Sequence, residues 1–205
     1  MLILAPTLAS AAEAGTDRPH WSLELKGGAL FRDTAGWSRF YGSSYLGEYG
    51  GALAYKLRRE VEIGVEGSYA RAKGKGVQRQ VPTGEVTHEQ APLNLFVLVR
   101  GVFNENQWLV PYAGGGFTRM FYRDRVTGQA KTQGSANGYH GRAGVQLLLD
   151  RLEPETAKGL YRDFGMHHTY FLLEGKYTRA MADTVAAGSV NLGGASCLAG
   201  FLFEF

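Results

Sequence analysis

From Trp21 onward, apolar residues recur at every second position, the period of a β-strand with one face in apolar surroundings. Segment 21–31 sets Trp21, Leu23, Leu25, Gly27, Ala29 and Phe31 against Ser22, Glu24, Lys26 and Gly28. Segment 45–57 sets Tyr45, Tyr49, Leu53 and Tyr55 against Leu46, Glu48, Ala52 and Lys56. Segment 61–69 sets Val61, Ile63, Val65 and Tyr69 against Glu62, Glu66 and Ser68, and segment 93–103 sets Leu93, Leu95, Val97, Val99 and Phe103 against Asn94, Phe96, Leu98 and Arg100. In segment 108–120, Trp108, Val110, Tyr112, Thr118 and Met120 form one expected face and Phe117 and Arg119 the other. Pro111 and the run Gly114-Gly115-Gly116 leave that register weakly marked. Tyr139, Ala143, Val145 and Leu147 oppose His140, Arg142 and Gln146 in the sixth segment, and Phe171, Leu173 and Tyr177 oppose Glu174, Lys176 and Thr178 in the seventh. The eighth ends the chain, with Cys197, Phe201, Phe203 and Phe205 facing one way and Ser196, Leu198, Leu202 and Glu204 the other. Eight strands follow.

The connections alternate in length. Residues 32–44, 73–90, 123–136 and 181–191 read as long polar loops, whereas 58–60 and 104–107 are tight turns. Connection 150–168 departs from the alternation, because it carries a helical pattern where a short turn is due. Pro154 suits a first turn, Gly165 a C-terminal cap, and Ala157, Leu160, Tyr161 and Phe164 form one apolar face. Such a helix either covers the barrel mouth or lies along the neighbouring membrane surface.

Alternation is common to a soluble barrel with an apolar interior and a membrane barrel with a polar one, so the charges decide. The apolar parity carries no charge, while the other collects Glu24, Lys26, Glu48, Lys56, Glu62, Glu66, Arg100, Arg119, Arg142, Glu174, Lys176 and Glu204. Signs this evenly matched suit an ion-paired lumen, since an unpaired buried charge costs several kcal/mol. Aromatic residues on the apolar parity gather at both strand ends, as at two membrane interfaces. One girdle is Trp21, Tyr55, Phe103, Trp108, Phe171, Phe203 and Phe205, and the other is Phe31, Tyr45, Tyr69, Tyr139 and Tyr177. The expected fold is all-β: an eight-stranded antiparallel transmembrane β-barrel with a short helix in the third periplasmic connection.

These features, with the terminal alternation of Phe201, Phe203 and Phe205, resemble the eight-stranded outer-membrane barrel families typified by OmpA, OmpX and OmpW. The resemblance covers residues 15–205 and implies a bacterial outer-membrane location with both termini in the periplasm. It also implies contact with outer-membrane lipid and lipopolysaccharide, and a last strand read by the barrel-assembly machinery. These families share no single activity. The expected function is a structural or surface-interaction role with a lumen plugged by paired charges. The alternative is a narrow OmpW-like channel or lateral path for small hydrophobic molecules, kept open by inward Leu46, Phe96, Leu98, Phe117, Leu198 and Leu202.

Composition adds limits. Residues 1–14 read as the end of a secretory signal, with Ala-x-Ala cleavage options at Ala9-Ser10-Ala11 and Ala12-Glu13-Ala14. The 29 glycines sit mainly within the alternating runs, which suits crowded strands, and the net charge of +3 gives little reason to expect nucleic acid. Cys197 is the sole cysteine, so no intrachain disulfide or cysteine-rich metal site can form. Lipid A-modifying chemistry would need a His, Ser and Glu set in a His-x-Ser-Asn-type signature, absent around His167-His168. No catalytic, metal or cofactor residue is therefore assigned, and His140 reads as a hydrogen-bonded lumen residue. Residues 73–79 and 119–131 are locally basic and suit the phosphates of outer-leaflet lipopolysaccharide.

Overall fold

The structure is a computed structural model and describes residues 18–32, 37–41, 43–74, 77–78, 81–82, 84–104, 107–128, 131–184 and 188–205. The expected signal residues 1–14 lie outside the described residues. Eight long strands carry the fold: β1 Trp21–Phe31, β2 Tyr45–Lys56, β3 Val61–Gly74, β4 Val86–Arg100, β5 Leu109–Val126, β6 Thr132–Leu148, β7 His168–Thr184 and β8 Gly194–Glu204. Each pairs antiparallel with its sequence neighbours, and β8 returns to β1 through a register running from Ser22 opposite Glu204 to Phe31 opposite Ala195. The sheet therefore closes on itself. At the seam, the Phe205 carbonyl accepts from the amides of His20 and Trp21, while the Phe205 amide donates to the Trp21 carbonyl. The final residue thus belongs to the closing ladder.

The two faces have opposite chemistry. Outward side chains at mid-strand are Leu25, Leu53, Ile63, Val65, Leu95, Val97 and Leu173, all well exposed. No helix among the described residues is long and apolar enough to cross a membrane. The strands are long enough, since a tilted membrane strand needs about 9–11 residues. Backbone groups in hydrocarbon must be satisfied internally, which the closed ladder does. An apolar wall around a charged interior is a membrane-spanning barrel.

Two expectations change. In β5 the faces are reversed: Val110, Tyr112, Thr118 and Met120 are buried inside, whereas Phe117, Arg119 and Phe121 point out. Arg119 is thus no lumen charge and Phe117 no lumen apolar residue. The reason is local, because Trp108 precedes the strand and Gly114, Gly115 and Gly116 carry no side chain to mark a face. The loops expected at 73–90, 123–136 and 181–191 are also largely strand, since β3, β4, β5, β6 and β7 all run on past the aromatic girdle. Beyond the hydrocarbon an outward residue is polar, so Arg71, Lys73, Arg123 and Arg125 break the apolar alternation without ending the ladder.

Two helices lie at the ends of the strands. The five-residue α1, Trp37–Tyr41, turns into the mouth, where Trp37 packs against buried Leu30, Leu46 and Ala70. The longer α2, Pro154–Phe164, forms as its sequence predicts. Pro154 opens it, and Gly165 ends it in the left-handed region at φ 67°, with its amide on the Tyr161 carbonyl and that of Met166 on the Leu160 carbonyl.

Candidate functional site

The lumen holds the chemistry, in three layers. Nearest the short-turn end, Arg100 lies between Glu62 at 3.0 Å and Glu204 at 2.5 Å, and Lys56 reaches Glu204 at 2.5 Å. Ser22 donates to Glu62, and the Arg100 guanidinium lies 5.3 Å from the centre of the Tyr170 ring. Two cations and two carboxylates cancel in this layer. Val110, Leu148, Tyr170, Leu172 and Leu202 pack beside it as an apolar cluster.

The middle layer is larger. Glu66 on β3 accepts from Lys26 at 2.6 Å, Lys176 at 2.9 Å, Arg142 at 3.0 Å and Asn94 at 3.0 Å. Lys26 also reaches Glu174 at 2.8 Å and Glu24 at 3.1 Å, and Lys176 reaches Glu48 at 2.7 Å. Arg142 holds both Glu24 oxygens through Nη2. Its Nε lies 2.7 Å from Glu174, close enough for an ion pair but without hydrogen-bond alignment. Hydroxyls complete the carboxylates: Tyr112 donates to Glu174, and Ser68 and Ser196 both donate to Glu48. Asn94, Thr118 and His140 extend the network, with Thr118 3.0 Å from His140 Nδ1.

Four carboxylates and three cations meet in this layer, so it carries one excess negative charge. Each ion has several partners, which burial demands, because desolvation costs several kcal/mol per ion and only dense pairing offsets it. The side chains of Lys26, Glu66, Arg142 and Glu174 are all at most 1% exposed. Packing seals the gaps between them. The Phe96 ring lies under the Arg142 guanidinium at 4.7 Å, and a Cβ on Gly64 would come within 2.7 Å of that ring. Bulky Phe96 and bare Gly64 are one fitted pair.

At the opposite mouth, Arg32 stacks on Trp37 at 4.4 Å and hydrogen-bonds Gln90 and His88, while His88 contacts Asp124 at 2.6 Å. Trp37 in turn stacks on Tyr41 with ring centres 4.0 Å apart. This third layer caps the lumen. No sequence signal marked it, because α1 lies within a polar connection and Arg32, His88 and Asp124 are far apart in the chain.

The structure places Glu24, Lys26, Glu48, Lys56, Glu62, Glu66, Arg100, Arg142, Glu174, Lys176 and Glu204 inside, and Arg119 outside, bonded to Asn137 and Ser135. The expected girdle residues Trp21, Tyr55, Phe103, Trp108, Phe171, Phe203 and Phe205 lie at or just beyond the short-turn ends of their strands. Phe31, Tyr45, Tyr69, Tyr139 and Tyr177 lie on the outward face toward the other end. Phe201 shares the outward face of β8 and packs edge-on against Phe171. Leu46, Leu98, Leu198 and Leu202 are inside, and Cys197 is exposed on the outer wall. His168 Nδ1 lies within hydrogen-bond distance of Asp150, at 2.8 Å, in the turn that carries α2.

No protein-family model matches the chain, and no curated protein sequence matches it. Among solved structures the chain is similar to Neisserial surface protein A, with a TM-score of 0.58 and 12% identity over 90% of this chain and 96% of that one. It is also similar to the N-terminal β-barrel domain of OprF from Pseudomonas aeruginosa, with a TM-score of 0.52 and 13% identity over 92% of this chain and 98% of that one. Closed by eight antiparallel strands, charged within and apolar without, the chain has the eight-stranded β-barrel fold of these solved structures.

Proposed function

We propose that this protein is a non-enzymatic, non-conducting barrel of the bacterial outer membrane that acts through its outer surface. The middle charge layer carries this reading. Seven ionised side chains from β1, β2, β3, β6 and β7 meet across the lumen and consume one another's hydrogen-bonding capacity. An eight-stranded barrel encloses about the space its own side chains fill, and here two apolar-flanked ion layers and an aromatic cap occupy it. Recording from the purified protein in planar bilayers is expected to show no discrete conductance steps.

The surface of interaction is a basic crown above the aromatic girdle. Arg71 and Lys73 on β3 and Arg119, Arg123 and Arg125 on β5 all face outward beside Tyr69 and Phe121, with the carboxylate of Glu89 among them. Arg71 and Arg125 stand 3.8 and 3.7 Å from Glu89, which leaves most of their donors directed outward. At that height on an outer-membrane barrel lie the phosphates of lipopolysaccharide, and arginine forks fit phosphate oxygens bidentately. Replacing Arg71, Arg123 and Arg125 together with Ser is expected to abolish salt-sensitive retention on immobilised lipopolysaccharide. Unchanged retention would refute the crown's role.

One observation favours a lateral path for small hydrophobic molecules as a second reading. The β3–β4 ladder runs from Gly67 opposite Leu93 to Ala70 opposite Gln90 with no bridge at the two positions between, where Pro92 has no N–H to give. Beside this interruption the wall has a hollow of about 530 Å³, lined by Tyr69, Gln90, Ala91, Phe121 and Tyr122 among others. Uptake of a small hydrophobic probe that is lost in a deletion strain, and restored by the wild-type chain, would support this reading over the sealed one.

A further inference from the structure

Helix α2 buries none of its residues, and Leu152, Tyr161 and Phe164 are between 46% and 69% exposed. Ala157, Leu160, Tyr161 and Phe164 nevertheless share one face, at spacings of three and four. A helix opened by Pro154 and capped by Gly165, with an apolar stripe largely exposed, calls for a surface to cover it.

One contact marks the direction of that stripe, and a second marks the path of the chain leaving it. The Tyr161 ring meets His167 edge-on with centres 5.0 Å apart, and the Thr169 hydroxyl lies 3.3 Å from the Met166 sulfur. His167 and Thr169 have the parity of Phe171 and Leu173, the lipid-facing residues of β7. The apolar stripe of α2 therefore adjoins the outer wall of the barrel and not the lumen. The girdle residues Phe171, Phe201 and Phe203 share that outward parity with His167 and Thr169.

The anchoring is short and rigid. Leu149 donates to Thr169, Asp150 accepts from the Thr169 amide and pairs with His168, and His167 donates to Glu204. The helix is held at the level where the strands leave the hydrocarbon. Lys158 flanks the apolar stripe, is more than 70% exposed and pairs with Glu155 at 2.8 Å, while Arg162 and Glu155 lie toward the opposite face. An apolar face opposed to a charged one is the pattern of a helix lying in a membrane interface.

We propose that α2 is an interfacial helix seated on the periplasmic leaflet, with Leu160, Tyr161 and Phe164 among the acyl chains and Lys158 at their edge beside phospholipid phosphates. The covering partner is the phospholipid surface itself, continuous with the lipid belt around the barrel. Burying Tyr161 and Phe164 this way removes large apolar surfaces from water, each a sizeable contribution at aromatic dimensions.

The test uses the full chain refolded into vesicles, with Cys197→Ala as background. A nitroxide is attached at Phe164→Cys in one variant and at Glu155→Cys in another, both exposed positions that the barrel does not need for folding. Heat-dependent gel mobility verifies that each folds. In phosphatidylcholine vesicles containing phosphatidylglycerol, the label at 164 is expected to be several-fold more accessible to oxygen than to a water-soluble nickel relaxant, and the label at 155 the reverse. Adding Lys158→Gln is expected to shrink the effect of phosphatidylglycerol on the label at 164. Equal aqueous accessibility at both positions would overturn the proposal, as would a label at 164 shielded from both relaxants, which would place α2 over the barrel mouth. An apolar seat indifferent to phosphatidylglycerol would overturn the phosphate contact.

Discussion

Glu66 is a residue at which charge counting and bond counting predict different outcomes for a mutation. It has more partners than any other lumen group, yet the middle layer holds four carboxylates against three cations. Glu66→Gln leaves three against three, whereas Arg142→Met leaves four against two in a region of negligible solvent exposure. Removing a partner from a buried pair costs about 3–5 kcal/mol because the remaining charge is stranded. Urea unfolding in detergent or vesicles at neutral pH is therefore expected to show a loss of that order for Arg142→Met and a smaller one for Glu66→Gln. A larger loss for Glu66→Gln would mean that specific hydrogen bonds outweigh net charge. Gly64 makes a steric prediction at the same scale. A Cβ there would lie 2.6 Å from the Leu53 carbonyl as well as 2.7 Å from Phe96, so Gly64→Val is expected to destabilise by about 1–3 kcal/mol. Adding Phe96→Ala relieves the ring but not the carbonyl, so rescue in the same unfolding assay is partial.

Among the elements, β5 shows where sequence periodicity stops informing. In the other strands an apolar run and at least one charge or amide fix which face is which, as Leu25 and Glu24 do in β1. In β5 the middle is Gly114-Gly115-Gly116, and the only charge near it, Arg119, lies above the girdle, where an outward charge meets headgroups. An outward exposed arginine predicts that Arg119→Ala changes stability by no more than about 0.5 kcal/mol, the usual range for surface substitutions. A loss of several kcal/mol on urea titration would restore it to the lumen. Strand length was obscured for the same reason: beyond the hydrocarbon both faces of β3 and β5 are polar, so ladder and loop read alike. Helix α2 was legible because Pro154, Gly165 and the spacing of Ala157, Leu160, Tyr161 and Phe164 are all local signals.

At the scale of the whole molecule, the alternation, the girdles and the terminal Phe205 made the barrel and its polar interior readable from sequence. The pairing inside was not readable, because Glu24 meets Arg142 and Lys26 meets Glu174 across more than a hundred residues of chain, at heights set by strand tilt and stagger. The cap built by Arg32, Trp37 and His88 was hidden for the same reason. These long-range contacts decide whether the barrel is a passage or a pillar. Single-channel recording on the wild-type protein in planar bilayers at neutral pH tests that point most directly. A sealed lumen predicts a silent baseline under applied voltage, whereas reproducible ohmic steps from the folded wild-type barrel would contradict it.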